Sequence, residues 1–360
     1  MESIERITVM GAGPGGVAAA VSLARRGFDV TLFNRSMERI RCAKRAGGYE
    51  IEGDLGEGFV HLQNITHDPG DSLRTAQLIL IAVPAYGQLS MIETASAYLR
   101  SDTVLLLLTG SCGSLEGAQL LEKEGHDVRG GLLLGETVTL PQSARFTGPG
   151  RVKIVEPSSV RGAAFPGSRT DELVERLHGV VALFARPNVF DPGLNNPNFL
   201  IHPAPMLLNY AAVERADGYL SIMNEGMTPG VLRCLDAVDA EKMALCTALG
   251  IEPIDIDSLY RELGSGPHVY RVQGEPFGHR DRIWPRYIDE DVPYGTVLMS
   301  SLGQQIGVPT PVCDAINDVL SVAEGIDFWK IGRTVEKMGL AGMSVNEMCH
   351  FVDTGERPLR

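Results

Sequence analysis

The sequence has no apolar run long enough to cross a bilayer; the runs at 78–83, 104–108 and 132–134 have the length of buried parallel strands instead. It is short of basic charge, with 32 Lys and Arg against 45 Asp and Glu and a net charge of −13. That balance argues against nucleic acid or an anionic membrane as partner, and it means that an anionic substrate needs local arginines. The six cysteines show no C-x-x-C spacing and read as reduced thiols buried as small hydrophobes. Among the eight histidines there is no pair three or four residues apart, and no cysteine or carboxylate cluster completes a ligand set, so no metal is expected. Internal repeats and low-complexity tracts are missing too. The first residues, Met-Glu-Ser-Ile-Glu-Arg, lack the basic-then-apolar pattern of a signal peptide, and the expectation is a soluble, cytoplasmic protein.

What is present begins at residue 7. The stretch ITVMGAGPGGVAAAVSLARRGFDVTLFNR reads as strand, glycine turn, helix and strand, with Gly11, Gly13 and Gly16 in G-x-G-x-x-G spacing directly after an apolar run. Gly11 permits a tight turn, Gly13 lets main chain approach a pyrophosphate, and Gly16 lets the helix lie on the sheet. The helix start offers N–H groups and a partial positive charge to the phosphates. A dinucleotide site is therefore expected here. An NAD-preferring site commonly carries Asp or Glu about 20 residues further on, whereas this chain has Asn34, Arg35 and Ser36. Arg35 can pair with a 2′-phosphate, with Asn34 and Ser36 adding neutral hydrogen bonds, which points to NADP(H) over NAD(H). The alternative is that Arg35 is a solvated surface residue.

The 360 residues, 44% hydrophobic and 21% charged, suffice for two domains with sizeable cores. A helix is predicted at 37–46 and a hairpin arm at 49–51. The third strand, 78–83, ends at Pro84, and Val83 and Pro84 are placed near the cofactor because ligands bind at the carboxyl ends of such strands. Strand 104–108, a small-residue turn at 109–113 and a helix at 115–124 follow. Then comes GLLLGET at 131–137, with Gly135, Glu136 and Thr137 just past a strand. Apolar pieces at 152–155 and 162–165, backed by a helix at 170–177, are taken to finish the same sheet. The Pro-, Gly- and Asn-rich stretch 190–198 is a connector, and helices are predicted beyond it at 203–216, 229–250, 295–306, 311–323 and 327–338. An irregular, aromatic-containing stretch, 264–282, interrupts them. The expected architecture is an α/β Rossmann-type parallel-sheet domain, 1–190, followed by an all-α C-terminal domain, 191–360.

Two polar clusters could carry chemistry. His202 follows an apolar run at the domain junction and immediately precedes a proline-started helix. On its residues alone it reads either as an acid/base or as a satisfied junction histidine. The charged segment RYIDEDVPYG at 286–295 either caps a helix, decorates a surface or serves a site.

The Rossmann motif, the N-x-x-x-x-x-H-P-x-P-x-L-L-N segment around His202 and R-Y-x-x-E-D-V-P-Y-G at 286–295 together resemble the opine dehydrogenases. G-E-T at 135–137, V-P-T-P at 308–311 and G-R-T-x-E-K-x-G-L at 332–340 extend the resemblance over nearly the whole chain. It implies a reductive condensation: an amino acid's amino group joins a 2-oxo acid, typically pyruvate, and NAD(P)H reduces the imine. It also implies that His202 is the acid/base and Asp291 its orienting carboxylate, that Arg286 holds the oxo acid's carboxylate, and that Thr137 lines the same pocket between the domains. The chemistry suits these residue types. Hydride adds better to a protonated imine, an aspartate fixes a histidine tautomer, and a guanidinium fork matches a carboxylate. Which of Asp289, Glu290 and Asp291 faces His202 is open at this point.

One rival is a ketopantoate reductase-like enzyme acting on a simple 2-oxo acid. Those families use a lysine as proton donor, and neither polar segment contains one, since Lys242, Lys330 and Lys337 fall in helical patterns. The other is an NADP-binding sensor without chemistry. The apolar helices of 308–340 are consistent with either core or a homodimer interface.

Overall fold

The structure is a computed structural model and describes residues 3–155, 159–217, 220–264 and 286–358, with the side chains of Asn224 and Arg286 outside that description. The chain divides into two compact units, Met1–Gly193 with His350–Leu359, and Leu194–Cys349. The last stretch thus groups with the first unit.

Among the described residues, twelve strands lie in the first unit: β1 (Arg6–Met10), β2 (Asp29–Phe33), β3 (Gly48–Gly53), β4 (Gly58–His61), β5 (Asn64–Thr66), β6 (Leu78–Ile81), β7 (Val104–Leu107), β8 (Leu133–Thr137), β9 (Ser143–Gly148), β10 (Arg151–Val155), β11 (Val160–Phe165) and β12 (Leu183–Ala185). Eight of them form one sheet in the order β12-β11-β8-β7-β6-β1-β2-β5. All its ladders are parallel except β8 with β11. The runs LILI of β6 and VLLL of β7 are buried at every position, the mark of strands covered on both faces. Strand order reverses beside β1, whose neighbours are β2 and β6, and a dinucleotide crevice forms at such a point.

The helices of this unit are α1 (Pro14–Arg25), α2 (Met37–Ala46), α3 (Pro69–Leu73), α4 (Ala85–Ser96), α5 (Gly113–Lys123) and α6 (Thr170–Leu177). α1 starts on Pro14, whose missing N–H costs nothing in a first turn, and buries residues 16–23 continuously. A small second sheet, β4-β3-β10-β9, lies against it. Its Tyr49, Ile51, Val60, Val152 and Ile154 join one apolar cluster with Val17, Ala20 and Val21. Residues 152–155 therefore do not finish the main sheet as expected. β10 pairs with β3 and β9, and its alternation of Arg151 and Lys153 with buried Val152 and Ile154 is that of a strand with one wet face. Gly135, Glu136 and Thr137 also lie within β8, not past it.

The second unit is helical, with Asn198–Ile201, Pro203–Leu208, Tyr210–Arg215, Pro229–Ala248, Ile256–Glu262, Arg286–Asp289, Val297–Ile306, Pro311–Glu324 and Phe328–Ile331 in order. The helix expected over 203–216 breaks at Asn209, whose side-chain amide donates to Pro205 O and Gly226 O and draws the chain out of helix. The helix expected over 327–338 stops at Ile331. The Lys337 ammonium folds back onto the carbonyls of Lys330, Ile331 and Gly332 and satisfies that end. Most of the irregular stretch 264–282 lies outside the described residues.

Candidate active site

The glycine loop is shaped by what it cannot hold. Gly11 has φ +121°, and a Cβ there would stand 2.3 Å from Ala82 O; one on Gly16 would stand 2.0 Å from Gly11 O. A Cβ on Gly13 would meet nothing within 4 Å. Gly13 is thus the point of open approach, and it is also the residue that begins α1, with no side-chain cap and no acid in the first turn. The loop fits a pyrophosphate: close contacts enforce its shape from below, and the helix start is unneutralised from above. Val83 lies against it, with Cγ1 at 2.8 Å from the position of a Gly11 Cβ, and Pro84 begins α4.

Asn34 also braces the loop. Its Oδ1 accepts from Ala12 N at 3.1 Å and its Nδ2 donates to Ser36 O at 3.0 Å, so the amide ties the glycine loop to the end of β2 and is committed to main chain. Arg35 is exposed and donates to Ser90 Oγ at 2.7 Å. Ser36 begins α2 without capping it.

At the carboxyl end of β7 the chain makes a strained turn, with Thr109, Ser111 and Cys112 all at positive φ. Such residues cost about 1–3 kcal/mol each and persist where surroundings hold them. Glu136, completely buried, does the holding. Its carboxylate accepts from Cys112 N at 2.8 Å, Ser114 N at 2.9 Å and Ser114 Oγ at 2.5 Å, and so fills the start of α5. Beside it, Thr137 is buried and accepts from Thr109 N at 3.2 Å while its hydroxyl donates to Thr139 O at 2.8 Å. The Thr137 hydroxyl is engaged with main chain, and it braces the turn. Nothing in the sequence reading assigned Glu136 a task, although an acid between apolar strand residues and a small-residue turn is the signal that could have done so.

In the second unit, the His202 Nδ1 lies 2.7 Å from Asp291 Oδ2, with the two side chains 7% and 6% exposed. These residues are 89 apart in sequence. His202 sits at the joint of the short helices Asn198–Ile201 and Pro203–Leu208, where its carbonyl accepts from Met206 N. Asp291 immediately precedes a π-helical turn, Val292–Thr296, closed by Thr296 N on Asp291 O at 3.2 Å. Wide turns of this kind recur at functional sites because they rotate one side chain out of helical register. Among the three neighbouring carboxylates, Asp291 is the one that faces His202. Burial, helped by Glu324, pushes the Asp289 carboxyl above its usual range. With Nδ1 engaged by a carboxylate, the imidazole is held in one tautomer and Nε2 becomes the nitrogen that exchanges a proton. Arg286 begins the helix Arg286–Asp289.

A residue passed over in the sequence reading, Tyr287, stacks on His202 with ring centroids 3.7 Å apart and planes 13° from parallel. Lys242 is buried and bonded to Asp239, at 2.8 Å, and to Ile254 O. Among the described residues, no group of three His, Cys, Asp or Glu side chains could hold a metal, and no helix is long and apolar enough to cross a membrane.

Residues 185–323 match the family described as NAD/NADP octopine/nopaline dehydrogenase, alpha-helical domain, and residues 7–159 the one described as ketopantoate reductase PanE/ApbA. The chain is 33% identical to an opine dehydrogenase of Arthrobacter sp. (strain 1C) over 93% of this chain and 95% of that one. An opine dehydrogenase of Haliotis discus hannai is 23% identical over 87% of this chain and 89% of its own. A structure of octopine dehydrogenase with NADH and pyruvate shares the fold with a TM-score of 0.72 over 99% of both chains at 17% identity. NADP+-bound yersinopine dehydrogenase does so at 0.70 over 98% of this chain and 99% of that one, at 14% identity. A Rossmann-like unit with a helical partner of this kind defines a dinucleotide-dependent oxidoreductase. The chain belongs to the opine dehydrogenase family, whose members are NAD(P)-dependent oxidoreductases acting on CH–NH groups.

Proposed function

We propose that the chain joins the amino group of an amino acid to pyruvate and reduces the resulting imine with NADPH in preference to NADH. The observation that carries this reading is the buried His202–Asp291 pair, 2.7 Å apart, in a family whose general reaction is this condensation. Addition of the amine to the oxo carbon releases water and leaves C=N, and reduction requires one hydride and one proton. NADPH, when bound at Gly11, Gly13 and Gly16, supplies the hydride. His202 Nε2 carries the proton. A general acid placed at the reacting group contributes about 10²–10⁴-fold to such a step. Asp291 fixes the tautomer and offsets the imidazolium charge. The family resemblance makes Arg286, whose side chain lies outside the described residues, the candidate for the oxo acid's carboxylate, in keeping with a net charge of −13 that gives anions no general attraction. Thr137 acts through the turn it braces.

Preference for NADPH is supported by the end of β2, where Asn34, Arg35 and Ser36 present no carboxylate to a 2′-phosphate and Arg35 is exposed. A simple 2-oxo acid reductase is the second reading, favoured by the match of residues 7–159 to ketopantoate reductases. Against it, Lys242 and Lys337 are engaged with Asp239 and with helix-end carbonyls, away from any role as proton donor.

The deciding experiment follows NADPH and NADH oxidation with pyruvate, with and without a pool of amino acids. Oxidation that depends on the pool is the expected result, and splitting the pool then identifies the amine. Oxidation with pyruvate alone would establish the simple reductase.

A further inference from the structure

The stack of Tyr287 on His202 is unusual in its geometry. Rings in van der Waals contact are already about 3.5 Å apart, so centroids at 3.7 Å and planes within 13° leave little lateral offset. Neutral aromatic pairs avoid this sandwich, because their faces carry the same sign of quadrupole; they slide sideways or turn edge-on. A cation over a phenol face is attracted in that same position. Resting on the reading of His202 as acid, we infer that Tyr287 is a positioning residue that holds the His202 ring in register and favours its charged, proton-donating form.

The surroundings suit that task. Asp291 holds the ring by its edge at Nδ1 and Tyr287 by its face, so two directions of rotation are blocked by groups only four residues apart in sequence. Among the described residues, three ionisable groups on neighbouring helices have partners of their own. Glu241 accepts from Val312 N and Cys313 N, Lys242 is bonded to Asp239, and Glu324 accepts from the Tyr210 hydroxyl. Tyr260 is buried beside Tyr287, and its hydroxyl is pushed well up, first by burial and then by Tyr287. It stays neutral throughout the working range and adds no charge. Asp289, on the same short helix as Tyr287, is likewise shifted toward its neutral form.

The test replaces the face and the hydroxyl separately. Tyr287→Phe keeps the face; Tyr287→Leu and the more pliable Tyr287→Met remove it, so a folding failure of one leaves the other. The readout is the pH at which the His202 ring loses its proton, followed by the ¹³Cε1 resonance of labelled histidine and assigned with His202→Asn, without substrate. Losing an attraction to the charged form makes deprotonation easier, so Leu and Met variants should move that pH downward by about 0.5–1.5 units, with Phe close to the parent chain. The high-pH limb of kcat should move in step, with KM for NADPH unchanged. A fall in kcat without movement of either pH would leave Tyr287 as packing alone and overturn the inference, as would equal movement in the Phe variant. If His202→Asn retains turnover, it is the reading of His202 that fails; the resonance still reports on Tyr287 independently.

Discussion

The seat at the start of α1 and the pair at His202 are made of opposite materials. The first is main chain, four glycines among positions 11–16, with Gly13 the one that has open space where a side chain would stand. The second is all side chain, assembled across 89 residues, buried, and fixed at one nitrogen by a carboxylate. In the seat, removing atoms makes the function; in the pair, it is the holding of atoms that matters. A substitution should therefore damage the first by adding and the second by deleting.

The largest effect should come from deletion. His202→Ala is expected to lower kcat by about 10³-fold while leaving the NADPH dissociation constant unchanged, measured by single-turnover kinetics and fluorescence titration. A variant that keeps turnover would dissolve the contrast. Addition comes next, and Gly13→Ala is its clean form. The position has φ −75° and nothing within 4 Å of a Cβ, so the fold accepts the methyl and only the approaching phosphates are obstructed. Cofactor affinity should fall about 10–100-fold with thermal stability unchanged, whereas an unchanged affinity would mean that the cofactor sits elsewhere. Smallest is the edge of the seat where a side chain does matter. Arg35→Ser should cut the ratio of kcat/KM for NADPH to that for NADH by about tenfold, the scale of one charge-assisted contact at an exposed position. An unaltered ratio would make Arg35 a surface residue.

How much of each could be read in advance follows from the same contrast. The seat is local: an apolar strand, three spaced glycines and an alanine-rich helix lie within one window, and the structure places them as that window implies. The long apolar runs of β6 and β7 were equally plain. β10 was less so, because Arg151 and Lys153 give it a polar face that Val152 and Ile154 alone do not show. Asn34 stands at the end of β2 as its place in the motif implies, and the sequence does not announce that its amide also ties the glycine loop to that end. His202 and Asp291 carry no local sign of each other. Family resemblance paired them, and the π-helical turn that aims Asp291 has no spacing rule to announce it. Tyr287 was visible as a letter of a motif, yet its stacking exists only once the chain has folded.

One feature of the first unit bears on what the protein can admit. Repeated strand–helix units would present an electropositive helix start at each carboxyl end, and every one would attract a phosphate or carboxylate equally. At α1 and α4 no side chain caps the start and no acid occupies the first turn. At α5 the chain supplies its own anion in Glu136, bound by the same N–H groups that a ligand would seek. The start of α5 is thereby satisfied from inside the chain, whereas that of α1 carries no acid in its first turn. One buried glutamate thus makes the start of α5 unlike that of α1.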